Sequence, residues 1–104
     1  MDGAIRDAEF KVFIEDQLRG LRGLACRSMF GGYGLYQGRT FFGIIFRGQL
    51  YFKTSDATRG RYEQADMKPF RPSAKQTLKN YYEVPPDVLE NPDELVTWAQ
   101  EAAR

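Results

Sequence analysis

Four short segments, together rich in aromatic and β-branched residues, follow one another directly between residues 24 and 54. Their sequences are LACRSMF, YGLYQ, RTFFGIIF and QLYFKT, and glycine-containing dipeptides separate them. Such segments favour β-strands, and connections this short cannot hold a helix, so consecutive strands must run antiparallel. The pattern therefore predicts an antiparallel meander against which every other element has to pack.

The turns fix the register of this predicted meander. We take Gln37-Gly38 and Arg47-Gly48 as two-residue turns, because glycine adopts the positive φ that tight hairpins require. One face of the strands then holds the cross-strand pairs Phe46–Gln49, Ile44–Tyr51 and Phe42–Lys53. The other face holds Phe41, Ile45, Leu50 and Phe52. This second face is wholly apolar and is expected to carry the core, whereas the first is apolar enough to be partly covered by a helix or a partner.

Helical patterns lie at both ends of the chain. DAEFKVFIEDQLRGL, residues 7–21, places apolar residues at three- and four-residue spacing and predicts one amphipathic helix. NPDELVTWAQEAAR predicts a last helix with Asn91 as its N-cap and Pro92 in its first turn. Its apolar stripe consists of Leu95, Trp98, Ala99 and Ala102. PPDVLE before it can form one helical turn.

The segment between the meander and the last helix is less regular. SDATRGRYEQAD predicts a short helix capped by Ser55 or Asp56. Its residues Tyr62 and Ala65 are expected to point toward the sheet, and Arg59 and Arg61 toward solvent. MKPFRPSAKQTLKN predicts an irregular crossing, mobile over residues 72–79, and YYEV a final strand. The fold class predicted is α+β, a single domain of residues 1–104 in which N-terminal, middle and C-terminal helices flank an antiparallel sheet.

Composition excludes several classes of function. The chain has no run of 18 apolar residues and its N-terminus begins with acids, which predicts a cytoplasmic protein without a membrane segment. It has no histidine and a single cysteine, Cys26, so redox, zinc and catalytic-triad chemistry are disfavoured and no metal or cofactor is expected. Glu83 on the predicted last strand is the one candidate for acid–base work, and an outward-facing structural role explains it better.

Glycines cluster in MFGGYGLYQG, residues 29–38. A phosphate-binding loop would need a following Lys and Ser or Thr that open a helix, and a dinucleotide fingerprint would need a third glycine and a helix. More strand follows here instead. We therefore interpret Gly31, Gly32 and Gly34 as strand bends or close backbone approaches.

Charge is distributed unevenly along the chain. Residues 1–16 carry a net −3, residues 17–82 carry +9 and residues 83–101 carry −6. The basic middle suggests a surface for nucleic acid, with phosphate contacts from Arg39, Arg47, Lys53, Arg59, Arg61 and Arg71. The alternative is that acidic terminal helices fold against the basic strands and neutralise them.

Three stretches together resemble one known family. They are SMFGGYGLYQGRTFFGIIFRGQLYFKTS, RGRYEQADMKPF and YYEVPPDVLENPDELVTWAQEA, and they resemble the N-terminal domain of the TfoX/Sxy competence regulators in order and over nearly the whole chain. The resemblance implies a bacterial α+β domain without catalytic residues. It also implies a role in switching on DNA-uptake genes together with the cyclic-AMP receptor protein. Full-length members carry a second, helical C-terminal domain, which is not expected in a chain that ends at Arg104.

The leading prediction is accordingly a non-enzymatic regulatory or adaptor domain that binds a protein partner, either the transcription machinery or the cyclic-AMP receptor protein. Two alternatives remain open. One is nucleic-acid binding by the basic middle, and the other is a small-ligand site near Tyr33, Tyr36 and Tyr51. A homodimer formed through the free sheet face or an edge strand is compatible with each of these functions.

Overall fold

A computed structural model describes residues 2–29 and 31–104, with side chains from residue 7 onward. The order of elements is α1 (Asp2–Gln17), β1 (Leu24–Met29), β2 (Gly32–Gln37), β3 (Thr40–Phe46), β4 (Gln49–Lys53), α2 (Arg59–Gln64), β5 (Pro69–Ser73), β6 (Gln76–Glu83), α3 (Pro86–Leu89) and α4 (Pro92–Ala102). The strands form one antiparallel sheet in the order β1-β2-β3-β4-β6-β5, which confirms the predicted α+β class. The last residue of the predicted first strand, Phe30, lies outside the described residues.

Two of the three predicted pairs of β3 with β4 are confirmed, whereas the third, Phe42–Lys53, is not among the paired residues. Phe46 pairs with Gln49 and Ile44 with Tyr51 across a two-residue turn whose members, Arg47 and Gly48, have φ of 51° and 74°. Positive φ at both turn positions matches the right-handed twist of the flanking strands.

The turn between β2 and β3 is displaced by one residue from the prediction. Gln37 pairs with Thr40, so the turn consists of residues 38 and 39.

A β-bulge reverses the predicted faces of two phenylalanines. In the pairing of β2 with β3, Leu35 lies opposite Gly43 and Tyr36 opposite Phe41, so Phe42 is the extra residue. An extra residue in one strand reverses the alternation of side chains, so the residues beyond the bulge point to the opposite face from the one that simple alternation predicts. Phe42 is consequently fully buried against Phe52, whereas Phe41 lies on the opposite face. The prediction that Phe41 belongs to the core and Phe42 to the other face is wrong.

The helices pack on one face of the sheet, which we call the inner face. Apolar residues of α1 and α4 form a single core with the inward residues of the strands. This core includes Ile14, Leu18, Leu35, Ile45, Leu50, Phe52, Leu95, Ala99 and Ala102. The predicted N-cap of α4 is confirmed, because the Asn91 side chain accepts a hydrogen bond from the Glu94 N–H at 3.2 Å. None of the helices in the described ranges is long and apolar enough to cross a bilayer.

The middle helix is shorter than predicted. Thr58 occupies its N-cap position instead of Ser55 or Asp56, although the Thr58 hydroxyl accepts from the Ser55 N–H at 2.9 Å. Tyr62 is buried as expected, but Ala65 is exposed, because the helix ends at Gln64 and Ala65 no longer faces the sheet.

Residues 69–83 form a β-hairpin: the predicted strand at YYEV is confirmed in the last part of β6, but residues 69–80 are strand and turn where an irregular crossing, mobile over residues 72–79, was predicted. Pro69 and Pro72 obscured the strand in the sequence, since proline cannot donate to a central ladder. They are tolerated because β5 lies at the edge of the sheet. The hairpin curls over the other face of the sheet, which we call the outer face. There Phe70 is 1% exposed, with its ring centroid 4.6 Å from that of Tyr51 and 5.3 Å from that of Phe46.

Candidate binding face of the sheet

The outer face of the sheet and the helical layer differ in charge. Among the strand residues, all of which are described, Glu83 provides the one carboxylate, against the bases Arg27, Lys53, Arg71 and Lys79. Helix α1 contains five acids and two bases, and α3 and α4 contain four acids and no base. The segregation seen along the sequence is therefore preserved between the two layers of the fold.

Direct ion pairing between the basic middle of the chain and its acidic ends is limited. Within the described side chains, Arg61–Glu101 is the one ion pair that joins the basic middle to the acidic C-terminal segment. The pairs Lys11–Glu15, Arg19–Asp16 and Arg59–Asp56 each lie within three or four residues of sequence. Internal neutralisation thus involves Arg61, while the basic residues of the strands form no ion pair with a described carboxylate.

The six predicted phosphate-binding residues do not form one surface. Arg39 in the β2–β3 turn and Lys53 at the end of β4 lie at the same end of the sheet, because β3 begins where β4 ends. Arg47 lies at the opposite end of β3, with its guanidinium 5.1 Å from the centroid of the Phe46 ring. Arg71 on β5 donates a hydrogen bond to the Ala74 carbonyl within its own hairpin at 3.1 Å.

The two arginines of α2 belong to the helical layer. Arg59 pairs with Asp56 at 3.1 Å. Arg61, predicted to face solvent, lies 4.2 Å from the centroid of the Trp98 ring and pairs with Glu101. Its Nε atom is buried without a hydrogen-bond partner. Stacking on an aromatic face and pairing with a half-buried carboxylate make Arg61 a structural residue between α2 and α4.

The three tyrosines predicted to share a pocket are separated by the sheet. Tyr33 lies on the inner face, where it packs against the core and the Lys11 Nζ is 5.6 Å from its ring centroid. Tyr36 and Tyr51 lie on the outer face, in contact with Phe41 and Phe70 respectively. Two distinct apolar regions of the outer face replace the single predicted pocket.

The first region is a row of three aromatic rings, Tyr36, Phe41 and Tyr81, which we call the aromatic row. The ring centroids of Tyr36 and Phe41 are 5.2 Å apart, and those of Phe41 and Tyr81 are 5.5 Å apart. The Arg27 guanidinium lies 5.2 Å from the centroid of Tyr36 and continues the row onto β1. All three rings are half-buried, so each keeps part of its surface open to solvent.

The second region is an apolar groove beneath the β5–β6 hairpin. It is lined by Phe46, Phe70, Pro72, Gln76 and Leu78 and has a volume of about 430 Å³. The Arg47 guanidinium lies over Phe46 at its rim. This groove was not predicted from the sequence, because the residues of its hairpin were assigned to an irregular crossing.

Glycines allow the close packing of this face. Gly31 has a φ of 79° and leads into β2, where a residue with a Cβ would be strained. A Cβ at Gly32 would collide with the carbonyl oxygen of Ile45, and one at Gly34 would meet the Met29 sulfur and the Phe41 ring. The absence of a side chain at Gly34 makes room for the rings of the aromatic row.

The titratable groups of interest have structural explanations. Burial, and secondarily Glu15, raises the pKa of the Cys26 thiol to about 11, which keeps it protonated at neutral pH. Burial also raises the pKa of Glu83 above its ordinary value. Asp7, 2% exposed, accepts hydrogen bonds from the backbone N–H groups of Arg47 and Gly48 at 3.1 and 2.7 Å and so fastens α1 to the β3–β4 turn. The described residues hold no cluster of side chains suited to a metal ion.

Comparison with known proteins identifies the family. Residues 16–104 match the family model of the TfoX N-terminal domain, and the chain belongs to this family. The chain is 32% identical over 78 residues to the DNA transformation protein TfoX1 of Aliivibrio fischeri (strain ATCC 700601 / ES114). This match covers 73% of the chain and 37% of that relative, so the chain spans little more than a third of the relative's length. The predicted family is thereby confirmed, and it is one related to the regulation of competence.

Proposed function

We propose that this protein is a non-enzymatic regulatory domain that acts by binding a protein partner in the groove under the β5–β6 hairpin. The observation that carries the proposal is the groove itself, a preformed apolar depression of about 430 Å³ on the face that the helices leave open. Family membership and the relative's role in DNA transformation support a regulatory setting.

The lining of the groove defines the chemistry of the partner. Phe46, Pro72 and Leu78 are half-buried, so an inserted apolar side chain would remove water from their remaining exposed surface. Arg47 at the rim supplies a positive charge. The complementary ligand is a partner segment with a large apolar residue beside a carboxylate, which would fill the groove and pair with Arg47.

Catalysis is not part of the proposal, because the two groups with candidate chemistry lack what catalysis requires. The Cys26 thiol has a pKa raised to about 11 by burial and by the neighbouring Glu15 carboxylate, so it stays a protonated, weak nucleophile at neutral pH. Glu83 sits beside Tyr51 on an open face without a second carboxylate from its sheet.

The test measures affinity for the two partners that the family resemblance suggests, the cyclic-AMP receptor protein and RNA polymerase holoenzyme, by isothermal titration calorimetry. Leu78→Asp places a charge in the groove and is expected to weaken binding by roughly 10- to 100-fold, the loss that corresponds to one buried apolar side chain. Arg47→Glu is expected to weaken it further through charge reversal at the rim.

The matched control is Val12→Asp, which introduces the same charge at an apolar residue that is 63% exposed on α1, on the opposite layer. Far-UV circular dichroism and the thermal midpoint verify that the variants are folded. An equal loss of affinity in Val12→Asp and Leu78→Asp, or no binding to either partner at about 100 µM protein, would refute the proposal.

A further inference from the structure

We propose that the aromatic row, with the basic residues around it, is a binding site for single-stranded nucleic acid. This site is separate from the groove of the preceding section and does not depend on it. Proteins that bind single strands combine exposed aromatic rings, on which bases stack, with cationic side chains that follow the phosphates. Both components lie together at one end of the outer face.

The stacking component is the row itself. Tyr36, Phe41 and Tyr81 lie side by side across β2, β3 and β6, with consecutive ring centroids 5.2 and 5.5 Å apart. At these separations, with inclinations of 34° and 35°, consecutive rings are in offset, tilted contact, and each half-buried ring keeps part of its surface open. A base that lies on this surface would contact apolar ring atoms without any demand on its identity, which favours binding of unpaired bases irrespective of sequence.

The cationic component consists of three basic residues beside the row. Arg27 lies over Tyr36 at the β1 side. Lys53 pairs directly with Tyr81 across β4 and β6, so the two side chains share the outer face. Arg39 occupies the turn that joins the strands of Tyr36 and Phe41. All three cations are exposed, and none forms an ion pair with a described carboxylate.

The electrostatic surroundings favour an anion here. The nearest acid supplied by the strands is Glu83, which pairs with Tyr51 and lies toward the groove half of the face. Burial and, secondarily, the neighbouring Tyr36 raise the pKa of Tyr81. The helices that carry most of the acids pack on the inner face, where the sheet separates them from the row. An unpaired strand therefore meets three exposed cations and, from the strands, the single carboxylate of Glu83, two positions from Tyr81.

A duplex fits this surface less well. The rings form part of a half-buried sheet surface, whereas a base pair keeps its flat faces stacked on its neighbours. The geometry thus selects strands whose bases are free to leave their own stack. Four to six nucleotides would suffice, since the row and its cations span five adjacent strands of about 4.8 Å spacing.

The experiment uses fluorescence anisotropy of 5′-labelled dT12, rU12 and a 12-base-pair duplex, titrated with the full chain at 50 and 200 mM salt. The single strands are expected to bind more tightly than the duplex. With three phosphates neutralised, affinity for them should fall by roughly tenfold between the two salt concentrations.

Two variants separate the components of the site. Arg27→Glu combined with Lys53→Glu reverses two exposed charges and is expected to lower affinity by at least about tenfold. Tyr36→Leu keeps an apolar side chain but removes a stacking surface, with an expected loss of roughly 5- to 100-fold. The matched control is Arg19→Glu, because Arg19 is 81% exposed and lies beyond α1 on the helical layer. This control should keep the affinity within about twofold of the parent.

Several outcomes would overturn the proposal. These are no single-strand binding at 50 mM salt, a loss in the double charge variant no greater than in Arg19→Glu, or duplex binding as tight as single-strand binding. If single strands do not bind but Tyr36→Leu weakens binding of a partner protein, the row is a protein contact and the proposal is wrong. Because both residues of the charge variant are exposed, its result stands even if Tyr36→Leu fails to fold. Leu78→Asp should leave single-strand binding unchanged, which keeps this test independent of the groove.

Discussion

The two faces of the sheet are both rich in large apolar residues, yet they have different surroundings. The inner face packs Ile45, Leu50 and Phe52 beneath α1 and α4, and these side chains are at most 2% exposed. The outer face holds the aromatic row and the groove, which are covered in part by the β5–β6 hairpin and otherwise open. A single sheet thus supplies a closed core on one side and an accessible apolar surface on the other.

The difference shows how a small domain can keep a binding surface without sacrificing its core. The helices pack on the inner face and carry most of the acids, two of which, Asp7 and Glu15, contact the strands or their turns from that side, so these acids do not cover the basic outer face. The outer face consequently keeps both its aromatic rings and its positive charge. These are the features that the two proposed sites use.

The largest change in the free energy of unfolding is expected on substitution of Phe42, which the bulge places on the inner face, whereas its neighbour Phe41 lies on the outer face. Phe42→Ala removes a ring that is 0% exposed and should lower the free energy of unfolding by about 3–5 kcal/mol. Phe41→Ala removes a half-buried ring and its contacts with Tyr36 and Tyr81, and should cost only about 1–2 kcal/mol. Urea unfolding of both variants measures the difference. The opposite ranking would mean that the bulge does not place these residues as described.

A smaller effect is expected where the helical layer meets the sheet. Asp7→Ala leaves the backbone N–H groups of Arg47 and Gly48 without their acceptor, which should cost about 2–3 kcal/mol of unfolding free energy. The control is Glu9→Ala, an exposed carboxylate two residues along α1, with an expected change within about 0.5 kcal/mol. Equal thermal midpoints for the two variants would show that the contact with the turn contributes nothing.

The inner face should also protect Cys26 from modification. Because burial raises the pKa of this thiol from 9.0 to about 11, the thiolate fraction at pH 8 is about 100-fold lower than in the unfolded chain. Alkylation by iodoacetamide should therefore be several-fold slower or more in the folded protein, since the higher nucleophilicity of a less acidic thiol offsets only part of this loss, and should accelerate as the pH approaches 11. Mass spectrometry of the folded and urea-unfolded chains provides the rates. Similar rates in both states would show that β1 leaves the thiol open.

The smallest change in the free energy of unfolding is expected on substitution of Glu83, the acid of the outer face. Burial raises its folded-state pKa, so the folded protein binds a proton more readily than the unfolded chain. The free energy of unfolding should therefore decrease as the pH rises from about 4.5 through the raised value, and stay lower above it. Glu83→Gln should remove this decrease and be slightly stabilising at pH 7.

Urea unfolding at pH 4 and pH 7 checks the sign, with the exposed Glu90→Gln as control. If the parent gains more stability than Glu83→Gln between pH 4 and pH 7, the carboxylate is favoured in its charged form and this interpretation fails. The same variant removes a negative charge from the outer face and should strengthen single-strand binding modestly.

Local sequence signals predicted a large part of the fold. The β3–β4 register followed from Arg47-Gly48, because a two-residue turn leaves one pairing for the strands it joins. The apolar stripe of α4 and its N-cap, Asn91, were predicted from the spacing of residues along the chain. The bulge at Phe42 could not be predicted, since it depends on how β3 pairs with β2 as well as with β4. The β5–β6 hairpin was missed because its prolines are acceptable only at a sheet edge, and strand order is a tertiary property.

For the two proposed sites, the sequence predicted some of the residues but not how they come together. Arg39, Lys53 and Tyr36 were named from the sequence, but Arg27, Phe41 and Tyr81, which complete the aromatic row and its surroundings, were not. No local pattern joins residues 27, 36, 41 and 81, because their contacts cross four strands. Arg61 and Tyr33 were assigned to binding surfaces from their residue type alone, and the fold uses both in packing.

By itself, the amino-acid sequence determined the fold class, the two-residue turn at Arg47-Gly48, the helix stripes and the family, because each is encoded in neighbouring residues or in an ordered set of short motifs. The tertiary structure alone decided which face each phenylalanine occupies, how the charges are divided between the layers, and which rings meet on the outer face. These properties depend on strand order and on a single extra residue in one strand. Such a residue reverses the direction of side chains while leaving local propensities unchanged.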